Sequence, residues 1–176
     1  MGPLDVRIEA ALRAYDEDCR WDLIDGIVGE CPDDVLEAAA NLLRGESERS
    51  RTLGADILGR LVGTEPDTRP VVLEALLQAL DLEKAAAPLA SIVAAIGHVG
   101  DAGTLGRILP LAVNESAEVR LAVAFAVATM SPQPPSPEAR AALIRLSRDR
   151  LQTADIEAAF TLVRDGALVD LATTAG

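Results

Sequence analysis

The chain has 176 residues, of which 49% are hydrophobic but only 2% aromatic, and its 28 acidic and 16 basic side chains give a net charge of −12. That length favours one domain with a sizeable core, and apolar content drawn from Ala, Leu, Val and Ile favours closely packed helices over a β-sandwich. No apolar run reaches the roughly 18–20 residues of a membrane span, and the opening MGPLDVRIEAAL interleaves acids with no apolar signal core, so the expected location is the cytoplasm.

The charge is concentrated at the start. Residues 1–37 hold 11 acidic and 3 basic side chains, net −8, while the other 139 hold 17 and 13, net −4. Such an end repels nucleic acid and anionic membranes and attracts a basic partner. Asp18, Asp22 and Asp25 surround Trp21, the one tryptophan. An aromatic among charges suits a binding anchor, although packing inside the first helix pair is the more common role for such a residue. The carboxylate groups Asp16–Asp18 and Asp33–Asp34 read as solvated turns. Cys19 and Cys31 match no metal-ligand spacing and read as reduced thiols. Fifteen arginines against the single Lys84, with abundant Ala, fit a GC-rich bacterial genome.

The first helix is expected over 4–15 and the second over 20–29. Next, VLEAAANLLR (35–44) places Glu37, Asn41 and Arg44 on one thin wet stripe, the pattern of an outer helix. RTLGADILGRLV (51–62) is different: Gly54, Ile57, Leu58 and Leu61 form one apolar face and Leu53 lies off it. The alternation recurs. VLEALLQALDL (72–82) has the thin stripe, at Glu74, Gln78 and Asp81, and AAAPLASIVAAIGHV (85–99) is apolar almost all round. In 118–130, Val119, Ala122, Val123, Ala126, Val127 and Met130 make one face, and Leu121, Ala124, Phe125 and Ala128 a second.

One-sided outer helices therefore alternate with two-sided inner ones, paired as 4–15 with 20–29, 33–44 with 47–62, 70–82 with 85–99, 103–113 with 117–130, and 137–149 with 154–164. A short helix near 166–172 follows. Asp33, Ser47, Ser116 and Asp155 are expected N-caps, and Pro70 and Pro137 suit first turns. Equivalent inner positions near Ile27, Leu58, Ile96, Val127 and Leu162 are separated by 31, 38, 31 and 35 residues. A helix dry on two sides needs a neighbour on each, which stacked helix pairs supply. The expected fold is all-α: a right-handed α-solenoid of about five helix pairs forming one domain over 1–176.

These residues resemble the HEAT family, and specifically its short HEAT-like repeats of the bilin-lyase type. The resemblance is carried by Arg51, Gly54, Ala55, Leu58, Gly59 and Leu61, by Ile96, Gly97, Val99, Gly100 and Asp101, and by Glu118, Val119, Arg120 and Ala124. Pro110 lies inside an outer helix, as kinking prolines do in that family. The match runs from about 45 to 130. The segments 1–32 and 138–176 depart from it and read as capping units; the last has Glu157 where the family has Arg. The resemblance implies that Arg51 and Arg120 bond to carboxylates of adjacent turns and hold the stack together. It is specific for fold rather than for function.

Chemistry is sparse. His98 is the one histidine, with no metal-ligand pattern beside it. Ser91, His98 and Asp101 make a triad only on paper. GRLVGTEP ends a helix and is no P-loop, and no strand precedes GDAGTLG as dinucleotide binding requires. No catalytic residue, cofactor or metal is expected. Some HEAT-like proteins are DNA glycosylases with a basic, aromatic-lined groove, and others are bilin lyases acting as paired subunits. Here the best basic cluster is Arg140, Arg145, Arg148 and Arg150, too little for phosphate binding. The function expected is a non-enzymatic protein-interaction module, docking a basic partner through Trp21, Asp18, Asp22 and Asp25. One concrete form is an immunity or antitoxin protein masking a basic toxin. The alternative is a HEAT-like enzyme, a bilin-lyase relative or a glycosylase, which requires a desolvated carboxylate beside an aromatic.

Overall fold

The computed structural model describes residues 2–132 and 134–147, and every described element is helical. The helices are α1 (Pro3–Arg13), α2 (Glu17–Val28), α3 (Pro32–Leu43), α4 (Glu48–Thr64), α5 (Arg69–Leu82), α6 (Ala86–Val99), α7 (Leu105–Ile108), α8 (Ala117–Met130) and α9 (Pro137–Ser147). Short 3-10 turns lie at Pro66–Thr68, Ala102–Thr104 and Leu109–Val113. The chain falls into two compact units, the first ending at Val99 and the second beginning at Gly100.

In the first unit, α1 packs on α2, α3 on α4 and α5 on α6. The even-numbered helices also meet in a row: α4 packs against α6 on one side and α2 on the other. That is why α4 is dry on more than one face, burying Leu53, Ala55, Ile57, Leu58, Leu61 and Val62. Two glycines set how closely α4 is approached. A Cβ at Gly54 would lie 2.6 Å from the Leu43 nitrogen and 2.8 Å from the Ala39 oxygen, so α3 crosses there almost backbone to backbone. At Gly59 the nearest atoms would be Cα and Cβ of Ala95 in α6, at 3.1 Å. α3 turns Val35, Ala39 and Leu43 inward and leaves Glu37, Asn41 and Arg44 in solvent, the stripe its sequence pattern requires.

In the second unit α8 is the central element, packed against α7, the 109–113 turn and α9. It buries Val119, Ala122, Val123, Ala124, Ala126, Val127 and Met130, while Leu121, Phe125 and Ala128 are half-buried. Thr104 is buried there, its hydroxyl bonded to the Asp101 carbonyl at 2.7 Å and 3.5 Å from the Met130 sulfur.

Local chemistry corrects several boundaries. Asp16 caps α2 by accepting from the Cys19 N–H, so the helix starts at Glu17 rather than 20. α3 is capped at Cys31 and not Asp33, because Pro32 occupies its first turn and has no N–H to satisfy. Ser47 caps α4 as its position suggests, accepting from the Ser50 N–H. Ser116 is the N-cap residue of α8 but makes no side-chain capping bond. The single helix expected over 103–113 is broken into a 3-10 turn, four residues of α-helix and a second 3-10 turn that holds Pro110. A proline both lacks an amide hydrogen and crowds the preceding turn. The expected helices over 154–164 and 166–172, with Asp155, Glu157 and Leu162, lie outside the described residues.

Candidate functional site

The row α2–α4–α6 carries a line of polar side chains along one unit. Arg20 is the fourth residue after the α2 cap, and its Nη1 donates to Oδ2 of Asp56 on α4 at 2.6 Å. The Asp56 side chain is only 8% exposed. Burial pushes its carboxyl up from the ordinary range, opposed by the Arg20 charge and by hydrogen bonds from Ser91 on α6 and from Arg20. The Arg20–Asp56 pair thus ties α2 to α4, with Ser91 of α6 on the near side of the same carboxylate. Further along, Arg60 on α4 binds Asp25 on α2 in bidentate fashion, at 2.5 and 3.1 Å. His98 on α6 is held below the ordinary imidazole range by partial burial and by the Arg60 charge.

Arg51 makes the corresponding tie between α4 and the segment before α6. Its guanidinium donates to both Glu83 oxygens, at 2.6 and 3.3 Å, and to the carbonyls of Gly45 and Glu46. Burial pushes the Glu83 carboxyl upward, but the bond from Arg51 and the N–H groups of Ala85 and Lys84 outweigh it, and its pKa is lowered. In the second unit Arg120 makes the same local contacts, donating to the carbonyls of Asn114 and Glu115 at 2.8 Å each. Arg20, Arg51 and Arg120 all stand four residues after an N-cap. Arg20 and Asp56 were not singled out from the sequence. The spacing from Asp16 to Arg20 was the available signal, hidden when the helix was started at Arg20 itself.

Trp21 lies on α2 with 38% of its surface exposed, the Arg20 guanidinium 5.5 Å from its ring centroid. Asp18 and Asp22 are exposed, and neither forms an ion pair among the described residues. At 100° per residue, Asp18, Trp21, Asp22 and Asp25 fall within an arc of about 100° on α2. Asp25 differs from the other two acids because Arg60 already holds it.

The remaining candidates stay apart. Ser91 stands two turns from His98 on the same helix, about 10 Å along its axis. Asp101 spends its carboxylate on the Gly103 N–H. Cys19 and Cys31 are exposed and free. Among the described residues no group of three or more His, Cys, Asp or Glu is placed to hold a metal, and no helix is long and apolar enough to cross a membrane. Arg140 and Arg145 are exposed on α9; Arg148 and Arg150 lie outside the described residues. No family model matches the chain, and no curated protein matches its sequence.

Proposed function

We propose that this chain is a non-enzymatic protein-binding module, an α-solenoid of HEAT-like helix pairs that docks a basic segment of a partner on the exposed face of α2. The observation that carries the reading is the pairing of Trp21 with Asp18 and Asp22. These are two uncommitted carboxylates beside an exposed aromatic, in a segment of net charge −8. Trp21 supplies the buried area on binding, and the acids steer a basic partner toward it. Asp25 contributes through its pair with Arg60 rather than as a free charge. The side-by-side packing of α2, α4 and α6 and the repeated arginine after the cap support the solenoid part. Nucleic acid is disfavoured, since Arg7, Arg13, Arg20, Arg51 and Arg60 are each paired with a carboxylate. An immunity or antitoxin protein of a bacterial cytoplasm is one concrete form of this role.

The test is capture of partners from lysate at about 0.1 M and about 1 M salt, which separates charge-driven from apolar binding. The wild-type chain is compared with the triple variant Asp18→Asn, Asp22→Asn, Trp21→Ala. A basic protein retained at low salt and lost with the variant supports the role. A partner indifferent to all three changes removes α2 as the docking face.

The enzymatic alternative draws on Asp56, a buried carboxylate of raised pKa one residue contact from Trp21. Against it, Arg20 already occupies that carboxylate. An activity abolished by Asp56→Asn in a chain of unchanged stability would favour the enzyme.

A further inference from the structure

A second surface of the first unit has a different build. Between α1 and α3 runs a shallow, open groove of about 460 Å³, with Ser50 of α4 also in its lining. Leu4 and Ile8 of α1 and Ala38 and Leu42 of α3 form its floor, and all four are half-buried. Asp5, Asp34 and Glu37 line it, are exposed, and form no ion pair among the described residues. No lining residue is basic. Of the nearby arginines, Arg7 is spent on the Gly26 carbonyl and Glu30 and Arg13 on Glu9, while Arg44 donates to the side-chain oxygen of the lining Asn41 at 2.8 Å and stands at that end of the rim.

An apolar floor whose rim carries three carboxylates, with Arg44 at the Asn41 end, fits one kind of occupant well. We infer that this groove seats a basic amphipathic helix of a partner protein, its leucine-type side chains on the floor formed by Leu4, Ile8, Ala38 and Leu42 and its lysines or arginines against Asp5, Asp34 and Glu37. An amphipathic helix laid in such a groove presents apolar anchors at i, i+3/i+4 and i+7, and Leu4–Ile8 and Ala38–Leu42 are themselves i, i+4 ridges. The carboxylates face an opposite charge on docking and none of their own sign, so the rim sets orientation as well as attraction. The inference rests on the proposed binding role in that the partner is basic, and it adds a second contact surface, on α1 and α3, to the docking face on α2.

The test uses the full chain and a fluorescent 18-residue peptide of Leu and Lys patterned as an amphipathic helix, followed by anisotropy at about 0.1 M salt. A peptide of the same composition with the pattern scrambled controls for charge alone. Wild-type protein should prefer the patterned peptide at least tenfold. The double variant Asp34→Asn/Glu37→Gln and the single variant Ala38→Arg should each weaken it about tenfold; arginine is nearly as good a helix former as alanine, so the second variant keeps α3 intact. Thermal unfolding of each variant confirms the fold. Equal binding of the two peptides, or indifference to both groove variants, overturns the inference. Loss of the peptide only in the α2 variant also overturns it, and leaves the proposed docking face standing. Self-association of the wild-type chain that the groove variants abolish, seen by sedimentation without peptide, assigns the groove to a second copy and overturns it too.

Discussion

The guanidinium of Arg20 on α2 lies 2.6 Å from the carboxylate of Asp56 on α4, whose side chain is only 8% exposed. Removing one partner leaves the other buried and unmatched, which for buried pairs costs about 3–5 kcal/mol. Arg20→Met is therefore expected to destabilise by about 3 kcal/mol, the lower end, since Arg20 is 21% exposed. Arg20→Met with Asp56→Leu should recover most of that. Urea unfolding of the two variants checks it, and a double variant as unstable as the single one contradicts the clamp.

Gly54 and Gly59 both sit at helix crossings, but what faces them differs. At Gly54 a methyl group would meet backbone atoms of α3 at 2.6 and 2.8 Å, and backbone cannot move aside alone. Gly54→Ala should cost about 1–3 kcal/mol, the range for overpacking. Gly59→Ala meets Ala95 at 3.1 Å, and the smaller displacement should cost less, partly offset by the better helix propensity of Ala. Thermal melts of the two single variants should fall in that order.

Acid should expose a contest between two carboxyls. Glu83 has a lowered pKa in the folded chain, so its contribution is present above its unfolded pKa and fades as pH falls through the folded one. Asp56 has a raised pKa, so its contribution has the opposite sign: present at low pH and lost as pH rises through the folded value. Glu83→Gln should flatten the loss of stability on acidification, and Asp56→Asn should steepen it. Denaturant midpoints measured from neutral pH into the carboxylate range decide both signs.

His98 is the one histidine, so its ring resonances are assigned without ambiguity. Its midpoint in an NMR titration should lie below that of an unperturbed imidazole. Arg60→Ala should raise it only part of the way, because burial is the larger cause and the arginine the smaller. Full recovery on losing Arg60 would reverse that ranking.

Much of the helical pattern was legible because burial follows period. The dry faces of α4, α6 and α8 and the wet stripe of α3 follow from spacing alone, and Gly54 falls on the apolar face of α4 by the same spacing. Local rules failed where two signals competed. Asp33 looked like a cap, but Pro32 before it already fits the first turn. The 103–113 segment had helical periodicity, yet Gly103, Gly106 and Pro110 left it short turns of mixed type. The candidate site was less legible still. Asp18, Asp22 and Trp21 could be named from composition, but the Asp25–Arg60 and Arg20–Asp56 pairs join residues 35 and 36 apart. No periodicity within a helix reports on a partner in the next one.

Those separations have a bearing on how the first unit assembles. The three cross-helix ties, Arg20–Asp56, Asp25–Arg60 and Arg51–Glu83, close segments of 36, 35 and 32 residues. Closure entropy grows only with the logarithm of length, so across this range it changes by about 0.1 kcal/mol. Chain connectivity hardly distinguishes one tie from another. What distinguishes the ties is the packing beneath each, and the interface of α4 with α6 is the broadest in the unit.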